Sequence, residues 1–424
     1  MKGERKTAPV IRFKGFSDAW EQRELMSVFE FPVSTNSLSR SQLNYDNGEI
    51  KSVHYGDILV NYDSILEIAK DRIPFITNGV IDKYKPNLLE NGDLIFADAA
   101  EDETVGKAVE VDGKINEYIV AGLHTIVARP RRKMAKFFWG YYINSSIYHN
   151  QLLRLMQGTK VASISKSNLQ KTCIAYPDNF AEQQKLGNFF KQLDDTIALH
   201  QRKLEALKLM KKGFLQQIFP KKGEKVPRLR FADFPDEWEQ CIVSDFTDKT
   251  YGGGTPKTNI PEYWTGEIPW IQSSDLIKDD FFNVAPKKHI TEDAIRNSST
   301  KLVPSNSITV VTRVGVGKLA FMPFEYATSQ DFLSLSNLKV SLIFGVYSLY
   351  NMLQKELNNI QGTSIKGITK SDLLEKSITI PVEVEEQKKI GFLFKQLDDI
   401  ILFHKNKLNQ FQALKKAYLQ NMFI

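Results

Sequence analysis

The chain has 424 residues and a net charge of +6, with 42% hydrophobic residues, 25% charged residues and two cysteines. Its length exceeds one ordinary hydrophobic core, and its composition is typical of a soluble globular protein. It has no apolar run near the ~18 residues of a membrane span, no signal-like start and no CxxC pair. We therefore expect a cytoplasmic protein without a disulfide framework or a membrane partner.

A short lead-in segment opens each half of the chain. Its residues recur at a constant offset as Pro9, Arg12, Phe13, Phe16, Asp18, Trp20 and Glu21, and as Pro227, Arg230, Phe231, Phe234, Asp236, Trp238 and Glu239. The acidic stretch before Trp238 resembles a nuclease carboxylate pair, but no Glu-x-Lys follows it. We predict instead that the repeated tryptophan is a packing anchor, as large aromatic residues usually are.

The first insert, residues 21–156, contains short apolar runs separated by Gly, Asn and Asp, which favour turns. We predict strands at 56–60, 72–76, 93–96 and 125–128 and an aromatic-rich helix over 133–156. The insert is acidic overall, yet basic residues cluster where its last strand meets this helix. They are Arg129, Arg131, Arg132, Lys133 and Lys136.

The strongest repeat aligns residues 157–219 with 361–423 without a gap, and 28 of the 63 positions are identical when counted along the two segments. It includes Gln157-Gly158-Thr159 against Gln361-Gly362-Thr363 and a shared Phe-Lys-Gln-Leu-Asp-Asp run. Similar frames around different inserts predict two equivalent modules that meet different targets.

Each copy of this repeat carries a heptad seam, whose steps alternate between four and three residues. The seam residues are Leu186, Phe190, Leu193, Ile197, His200, Leu204, Leu207, Lys211, Phe214 and Ile218 in the first copy, and Ile390, Phe394, Leu397, Ile401, His404, Leu408, Phe411, Lys415, Tyr418 and Met422 in the second. Eight of the ten are apolar in each copy, and the exceptions, a histidine and a lysine, fall at the same places. We predict two long helices, with seams of about 50 Å each, that pair antiparallel as a coiled coil. The two histidines fix the register or are partly solvated without a special role; neither has further metal ligands at usable spacing.

The second insert, residues 239–360, ends in a predicted helix over 342–360. Its Gly315-Val316-Gly317-Lys318 lacks the GxxxxGK[ST] spacing of a phosphate loop. Its Tyr251-Gly252-Gly253-Gly254-Thr255 resembles the cofactor loop of a methyltransferase, but Thr255 stands where the last glycine belongs. No HExxH occurs, and no complete catalytic constellation is present. We predict no catalytic residue and no metal site.

Basic residues on loops favour DNA binding, because Arg and Lys grip phosphates and fork to guanine edges. The second insert carries Lys257, Lys287, Lys288, Arg313 and Lys318. The corner lysines, Lys160, Lys166, Lys366 and Lys370, flank the two repeated Gln-Gly-Thr corners. Val105-Gly106-Lys107-Ala108 matches Val316-Gly317-Lys318-Leu319, which indicates that the inserts share a fold. The predicted DNA-binding residues are Lys107, Arg129, Arg131, Arg132, Lys133, Lys160, Thr255, Lys257, Arg313, Lys318 and Lys366. Solvated surface charge is the alternative for each basic residue taken alone.

Three stretches together resemble the specificity subunit of type I restriction-modification enzymes. The first is the lead-in Pro-x-x-Arg-Phe-x-x-Phe-x-x-x-Trp-Glu, which occurs in both halves. The second is the run Gly253-Gly254-Thr255-Pro256-Lys257, followed by Tyr263-Trp264 and Ile268-Pro269-Trp270-Ile271. The third is the repeated Gln-Gly-Thr…Glu-Gln-x-Lys…Leu-Asp-Asp…His pattern. The first insert departs from this pattern, with Ser34-Thr35-Asn36-Ser37 near the place of Gly-Thr-Pro.

The resemblance implies a mixed α/β (α+β) fold with a pseudo-two-fold repeat: target recognition domains at 1–157 and 221–361, and coiled-coil spacers at 158–220 and 362–424. It implies that each domain reads half of a split sequence in double-stranded DNA. The expected partners are two methyltransferase subunits and motor-nuclease subunits, which would hold S-adenosylmethionine, ATP and Mg²⁺; this chain would bind no cofactor. Two alternatives remain: a coiled-coil scaffold that binds protein partners without reading DNA, and a standalone methyltransferase with degenerate motifs.

Overall fold

The structure, a computed structural model, describes residues 7–113, 116–158, 161–221, 223–359 and 367–424, without the side chains of residues 358 and 359. The chain forms two compact units. Unit 1 combines Met1–His200 with Lys407–Ile424, and unit 2 is Gln201–Asn406. Unit 1 is therefore discontinuous in sequence, because unit 2 is inserted between its two segments.

Unit 1 mixes helices with short strands. The helices that begin in it are α1 (Leu25–Val28), α2 (Tyr55–Val60), α3 (Ile81–Tyr84), α4 (Phe138–Ile143), α5 (Ser146–Leu153), α6 (Lys166–Gln170) and α7 (Phe180–Ile218). Its strands are β1 (Glu21–Glu24), β2 (Phe29–Glu30), β3 (Leu43–Asn44), β4 (Lys51–Val53), β5 (Ile65–Glu67), β6 (Phe75–Ile76), β7 (Leu94–Ala97), β8 (Ala99–Ala100), β9 (Ala108–Asp112), β10 (Ile119–Ala121), β11 (Thr125–Pro130), β12 (Ala162–Ser163) and β13 (Cys173–Tyr176). Among the described residues, the larger sheets have the orders β2-β11-β7-β9-β5 and β10-β4-β6-β3, while β1 pairs with β13 and β8 with β12.

Unit 2 repeats this plan. The helices that begin in it are α8 (Glu292–Arg296), α9 (Leu342–Asn359), α10 (Lys370–Leu374) and α11 (Val384–Asn421). Its strands are β14 (Glu239–Ile242), β15 (Thr247–Gly252), β16 (Ile268–Ile271), β17 (Lys288–Ile290), β18 (Ser307–Val311), β19 (Leu319–Met322), β20 (Ala327–Thr328), β21 (Phe332–Leu338) and β22 (Ser377–Ile380). Within the described ranges, the sheets have the orders β15-β21-β18-β19 and β17-β16-β20, and β14 pairs with β22. The mixed α+β fold and its internal repeat are as predicted.

Most of the predicted inner elements are present, and two predictions were wrong. Strands β7 and β11 cover the runs predicted at 93–96 and 125–128, β6 keeps only the end of 72–76, and α9 matches the helix predicted over 342–360. Residues 56–60, predicted as a strand, belong to helix α2, because His54 caps this helix by accepting from the amide of Gly56 (3.2 Å). A run of five apolar-rich residues does not by itself separate strand from helix.

The helix predicted over 133–156 is divided into α4 and α5. Asn144 lies at the break, and its side chain bonds the backbone of Ala108, donating to the carbonyl (2.7 Å) and accepting from the amide (3.0 Å). Ser145 then caps α5 by accepting from the amide of Tyr148 (3.4 Å). Asn and Ser compete with helical hydrogen bonding in this way, and here strand β9 supplies the backbone partner of Asn144.

The long helices α7 and α11 run antiparallel within each unit. In unit 1, Phe189 packs on Tyr418 (ring centroids 5.1 Å apart) and His200 packs on Phe411 (5.5 Å). In unit 2, Phe219, which follows α7, stacks on Phe394 of α11 (6.0 Å). The described seam residues are all buried or half-buried, so the heptad pattern marks the inner faces of both helices.

The two lysines of the seams have charged partners. Lys415 pairs with Asp194 (2.5 Å) in unit 1, and Lys211 pairs with Asp398 (2.5 Å) in unit 2. Each aspartate also accepts from a tyrosine of the preceding recognition segment, with Tyr347 Oη lying 2.6 Å from Asp398 Oδ2. Burial and the aspartate raise the pKa of this tyrosine, which keeps it a donor. The repeated Leu-Asp-Asp run thus ties the helix pair to its recognition segment.

The repeated lead-in forms a clamp on the start of each long helix. Arg12 binds Glu182 through two hydrogen bonds (2.7 and 2.8 Å), and Trp20 donates to the same carboxylate (3.3 Å). In unit 2, Arg230 and Trp238 bind Glu386 with nearly identical distances (2.8, 2.8 and 3.3 Å). Both tryptophans are buried, which confirms the prediction that they are packing anchors.

Candidate nucleic-acid interface

Several loops of unit 2 meet at one edge of its four-stranded sheet. The end of β15 pairs with the start of β21 (Gly252 opposite Leu333), and the start of β21 pairs with the end of β18 (Phe332 opposite Val311). The end of β18 in turn lies beside the start of β19. Residues 253–257, 312–318 and 329–331, which we call the unit 2 loop edge, therefore lie together.

The glycines of this edge are required by close packing. A Cβ on Gly253 would lie 1.9 Å from the carbonyl oxygen of Ser329, and one on Gly254 would lie 2.4 Å from the hydroxyl of Ser299. The amide of Gly254 donates to the carbonyl of Thr328 (2.8 Å). The loop is thus fixed against the backbone of its neighbours, as glycine permits.

Two tryptophans support the same loop from its other side. Trp270 donates its indole N–H to the carbonyl of Gly254 (3.0 Å), and Trp264 donates to the carbonyl of Lys257 (3.3 Å). Their rings meet edge to face, 5.0 Å apart, and the ammonium of Lys288 lies over both, at 5.5 and 5.7 Å. This cation–π contact gives Lys288 a packing role beside the loop.

The rigid loop presents polar groups to solvent. Thr255, Lys257, Arg313 and Gln330 are all exposed, and the hydroxyl of Thr255 donates to the amide oxygen of Gln330 (2.7 Å). Gln330 was missed in the sequence, because it lies 75 residues from Thr255 and only the strand pairing brings the two together.

Positive charge accumulates at this edge. Lys370, the first residue of α10, has its ammonium close to Gly252. Burial lowers the pKa of Lys370, and the charge of Arg313 lowers it further. Two cations close enough to disfavour each other's charge are suited to an anionic partner.

Lys107 and Lys318, two predicted DNA-binding residues, have equivalent internal positions. The ammonium of Lys107 donates to the carbonyls of Leu59 (3.2 Å) and Tyr62 (2.7 Å). That of Lys318 donates to two carbonyls of the 273–276 turn, at 3.0 and 2.9 Å. Burial lowers the pKa of Lys107. The Val-Gly-Lys likeness therefore marks a lysine that supports backbone turns.

Unit 1 has an equivalent loop edge, formed by residues 36–37, 98–107 and 122–124. The amide of Asn36 donates to Ala121 (3.0 Å), as that of Gly254 does to Thr328, so Ser34-Thr35-Asn36-Ser37 occupies the place of the Gly-Thr-Pro loop. The exposed His124 pairs with Asp98 (3.2 Å), whose pKa is raised by burial. The ring of Tyr55 lies 5.2 Å from that of His124.

The basic cluster predicted in the first insert lies at the opposite edge of the sheet. Arg129 is at the end of β11, opposite β2, whereas the unit 1 loop edge adjoins the start of β11. Its guanidinium binds the buried Asp93 through two bonds of 2.8 Å and Glu90 through a third contact (2.8 Å). Arg129 therefore stabilises the turn that contains Glu90 and Asp93.

Other members of that cluster also have carboxylate partners. Arg131 lies 3.6 Å from Glu30, Arg132 lies 2.5 Å from Asp178 and Lys136 lies 2.6 Å from Asp112. Lys133 is exposed. The structure therefore does not bring this cluster into the position that Thr255 and Arg313 occupy in unit 2.

The corner lysines are placed only in part. Lys160 and Lys366 lie outside the described residues. Lys166 donates to the carbonyl of Phe31 (3.0 Å), and Lys370 lies at the unit 2 loop edge as described above.

Neither a metal centre nor a membrane span is found in the part of the chain that the structure describes. No three His, Cys, Asp or Glu side chains there are grouped to hold a metal ion. No helix there combines the length and apolarity needed to cross a membrane.

Comparisons with known proteins agree on one family. The family model for the type I restriction modification DNA specificity domain matches residues 17–209 and again 235–413. The MjaX specificity subunit of a type I restriction enzyme, from Methanocaldococcus jannaschii, is 24% identical over 417 residues, which cover 94% of this chain and 92% of the relative.

Solved structures agree in fold. The S subunit of a type I restriction-modification system from M. genitalium matches with a TM-score of 0.62 at 11% identity, over 98% of this chain and 99% of that one. A chain from a structural study of complex assembly and conformational transition in the type I system matches with a TM-score of 0.53 at 17% identity, over 95% and 97%.

Proposed function

This chain belongs to the type I restriction modification DNA specificity family, and from that premise we propose that each unit reads one half of a bipartite DNA target. One observation carries the proposal: the two units place the same loops at the same sheet edge but fill them with different residues. Gly254 and Asn36 hold equivalent hydrogen bonds, while the side chains around them differ. Equivalent frames with different exposed groups suit two different half-sites.

At unit 2, the proposed contact surface is the unit 2 loop edge. Lys257, Arg313 and Lys370 would neutralise phosphates, which supply most of the affinity of DNA binding. The exposed Thr255 and Gln330 would face base edges in the major groove, where hydrogen-bond patterns distinguish all four base pairs. Lys318 is left out of this set, because carbonyls already satisfy its ammonium.

At unit 1, the proposed contact surface is the unit 1 loop edge. Ser37 and His124 are exposed there. The adjoining loop carries Glu101, Asp102 and Glu103, which disfavour phosphate contacts. We therefore propose that unit 1 relies more on base contacts and less on phosphates than unit 2 does, and that Arg129 serves stability.

The helices α7 and α11 would set the gap between the half-sites and bind two methyltransferase subunits. Exposed apolar side chains on α11 support the second role: Phe392 is 59% exposed and Phe403 is 54% exposed. Eleven residues are close to three helical turns, so the two rings project from the same face. S-adenosylmethionine would bind to the methyltransferases, and ATP and Mg²⁺ to motor-nuclease subunits, so this cytoplasmic assembly would divide recognition from chemistry.

The test is methylation mapping of DNA from cells that carry this chain together with the methyltransferase gene beside it, against cells that lack the chain. We expect a chain-dependent motif with two short halves and a fixed gap. Exchange of residues 21–156 for those of a relative should change one half only. Stable co-purification with a methyltransferase but no chain-dependent motif would favour the scaffold alternative and refute DNA reading.

The gap can be tested separately. Insertion of four residues into α7 and into α11 lengthens each helix by about 6 Å and should lengthen the gap by roughly two base pairs, given a rise of ~3.4 Å per pair. An active insertion variant with an unchanged gap would refute the spacer role.

A further inference from the structure

The unit 2 loop edge contains a glutamine whose surroundings are built to hold it still. Gln330 lies in the short turn between β20 and β21, and the backbone on both sides of it is bonded. The amide of Ser329 donates to the carbonyl of Ile271 (3.0 Å), and the carbonyl of Asp331 accepts from the amide of Thr312 (2.7 Å). The Gln330 side chain itself is exposed, so the fixed backbone presents a polar group to solvent.

Thr255 orients the side-chain amide of Gln330. Its hydroxyl donates to Gln330 Oε1 (2.7 Å), which directs the NH₂ group away from the threonine. A carboxamide oxygen has two lone pairs, and the NH₂ group has two hydrogens. After the bond from Thr255, the amide therefore retains one acceptor site beside its donors. Thr255 is itself fixed, because it follows the tightly packed Gly253 and Gly254.

A donor beside an acceptor on one planar group matches the major-groove edge of adenine. Adenine presents N7 as an acceptor and its N6 amino group as a donor, and glutamine binds both at once. We propose that Gln330 reads an adenine in the half-site bound by unit 2, with Thr255 as its positioning residue. This inference rests on the proposed function, and it assigns one specificity-determining side chain to that surface.

The equivalent position in unit 1 shows why the two units would differ. The bonds that flank Gln330 recur around Leu123: Gly122 donates to Val53 (2.8 Å) and Asp98 donates to the carbonyl of His124 (3.0 Å). A leucine offers no hydrogen bond to a base. The same turn therefore presents an amide in one unit and an apolar group in the other.

The experiment uses the complex of this chain with its methyltransferase subunits. Methylation rates are measured on targets that carry each of the four base pairs at every position of the unit 2 half-site. For the unaltered chain, we expect one position at which A·T is preferred. Gln330→Leu should reduce that preference roughly tenfold, which is the usual discrimination of one good bidentate contact. Gln330→Glu should shift the preference towards C·G, because a carboxylate accepts from the cytosine amino group.

The Thr255 variants separate positioning from simple loss of fold. Thr255→Val should weaken the preference at that same position, whereas Thr255→Ser, which keeps the hydroxyl, should restore it. Lys339→Ala is the matched control, since Lys339 follows the opposite end of β21 and is exposed; it should leave the profile unchanged.

Two results would overturn the assignment. One is an unaltered chain whose unit 2 half-site contains no A·T position. The other is a Gln330→Glu variant that still methylates and keeps the original preference everywhere. Both leave the proposed function intact, because a bipartite motif would still be present; a chain-independent or unsplit motif would instead refute the proposed function itself.

Discussion

The clamp at the start of α11 should dominate the stability of unit 2. Glu386 is buried, with 1% of its side chain exposed, and it accepts two bonds from Arg230 and one from Trp238. Glu386→Ala leaves the largely buried guanidinium of Arg230 without its bonded counter-charge and the indole N–H of Trp238 without its acceptor. Removal of one partner of a buried ion pair costs about 3–5 kcal/mol, which corresponds to a melting temperature lower by roughly 10 °C for a unit of this size.

Urea unfolding followed by tryptophan fluorescence measures this cost, with the free energy of unfolding as the readout. The matched control is Glu385→Ala: that neighbour is 67% exposed and pairs with the exposed Lys388, so its loss should cost well under 1 kcal/mol. The double variant Arg230→Met with Glu386→Leu should cost less than either Glu386→Ala or Arg230→Ala, because no unpaired charge remains. The buried ion pair would be refuted if Glu386→Ala lowered the free energy of unfolding no more than Glu385→Ala does. It would also be refuted if the double variant cost as much as the sum of Glu386→Ala and Arg230→Ala.

Three further predictions concern the same framework. Burial raises the pKa of Glu110 to about 7, above ~4.3 for an exposed glutamate, so the folded state binds a proton that the unfolded state has lost. The free energy of unfolding should therefore fall by about 3 kcal/mol as the pH rises from ~4.3 to about 7. Urea unfolding over the same pH range should show no such fall in Glu110→Gln. Gly187→Ala should lower the melting temperature by several degrees, because the new Cβ would lie 2.3 Å from a carbonyl oxygen. Gly213→Ala in the same helix is the control: its Cβ meets nothing within 4 Å, so it should stabilise the protein by about 1 kcal/mol. Equal shifts in melting temperature for the two variants would refute the packing argument. Lys318→Met should lower the free energy of unfolding by about 1–3 kcal/mol, since two carbonyls lose their donor. The salt dependence of DNA binding should stay unchanged in this variant. A weaker salt dependence would instead show that Lys318 contacts a phosphate.

The sequence was most informative where its pattern is periodic or repeated. The seams predicted α7 and α11, and repetition identified Trp20 and Trp238 as anchors, because a heptad spacing and a duplicated residue both reflect a local requirement. The lysine exceptions in the seam were visible, but their aspartate partners lie on the other helix and required the antiparallel pairing.

The candidate site was harder to predict, because charge clusters along the chain are not clusters in space. Arg129 and the other basic residues of its cluster lie within eight residues of sequence, yet carboxylates from distant segments neutralise several of them. Thr255 and Gln330 are far apart in sequence and meet only through strand pairing. Residues 56–60 show the same limit on a smaller scale, since a single histidine cap decided between helix and strand.

The discontinuity of unit 1 affects how the chain folds during translation. Phe423 is buried in unit 1, where its ring stacks on that of Phe190 (5.4 Å) and meets those of Tyr142 and Phe138 (5.5 and 5.8 Å). This phenylalanine is synthesised after all of unit 2. Unit 1 therefore keeps an incomplete apolar core until unit 2 has been synthesised, so the unit whose translation begins first is completed last. Nascent chains that stall within unit 2 should expose this core to chaperones and proteases.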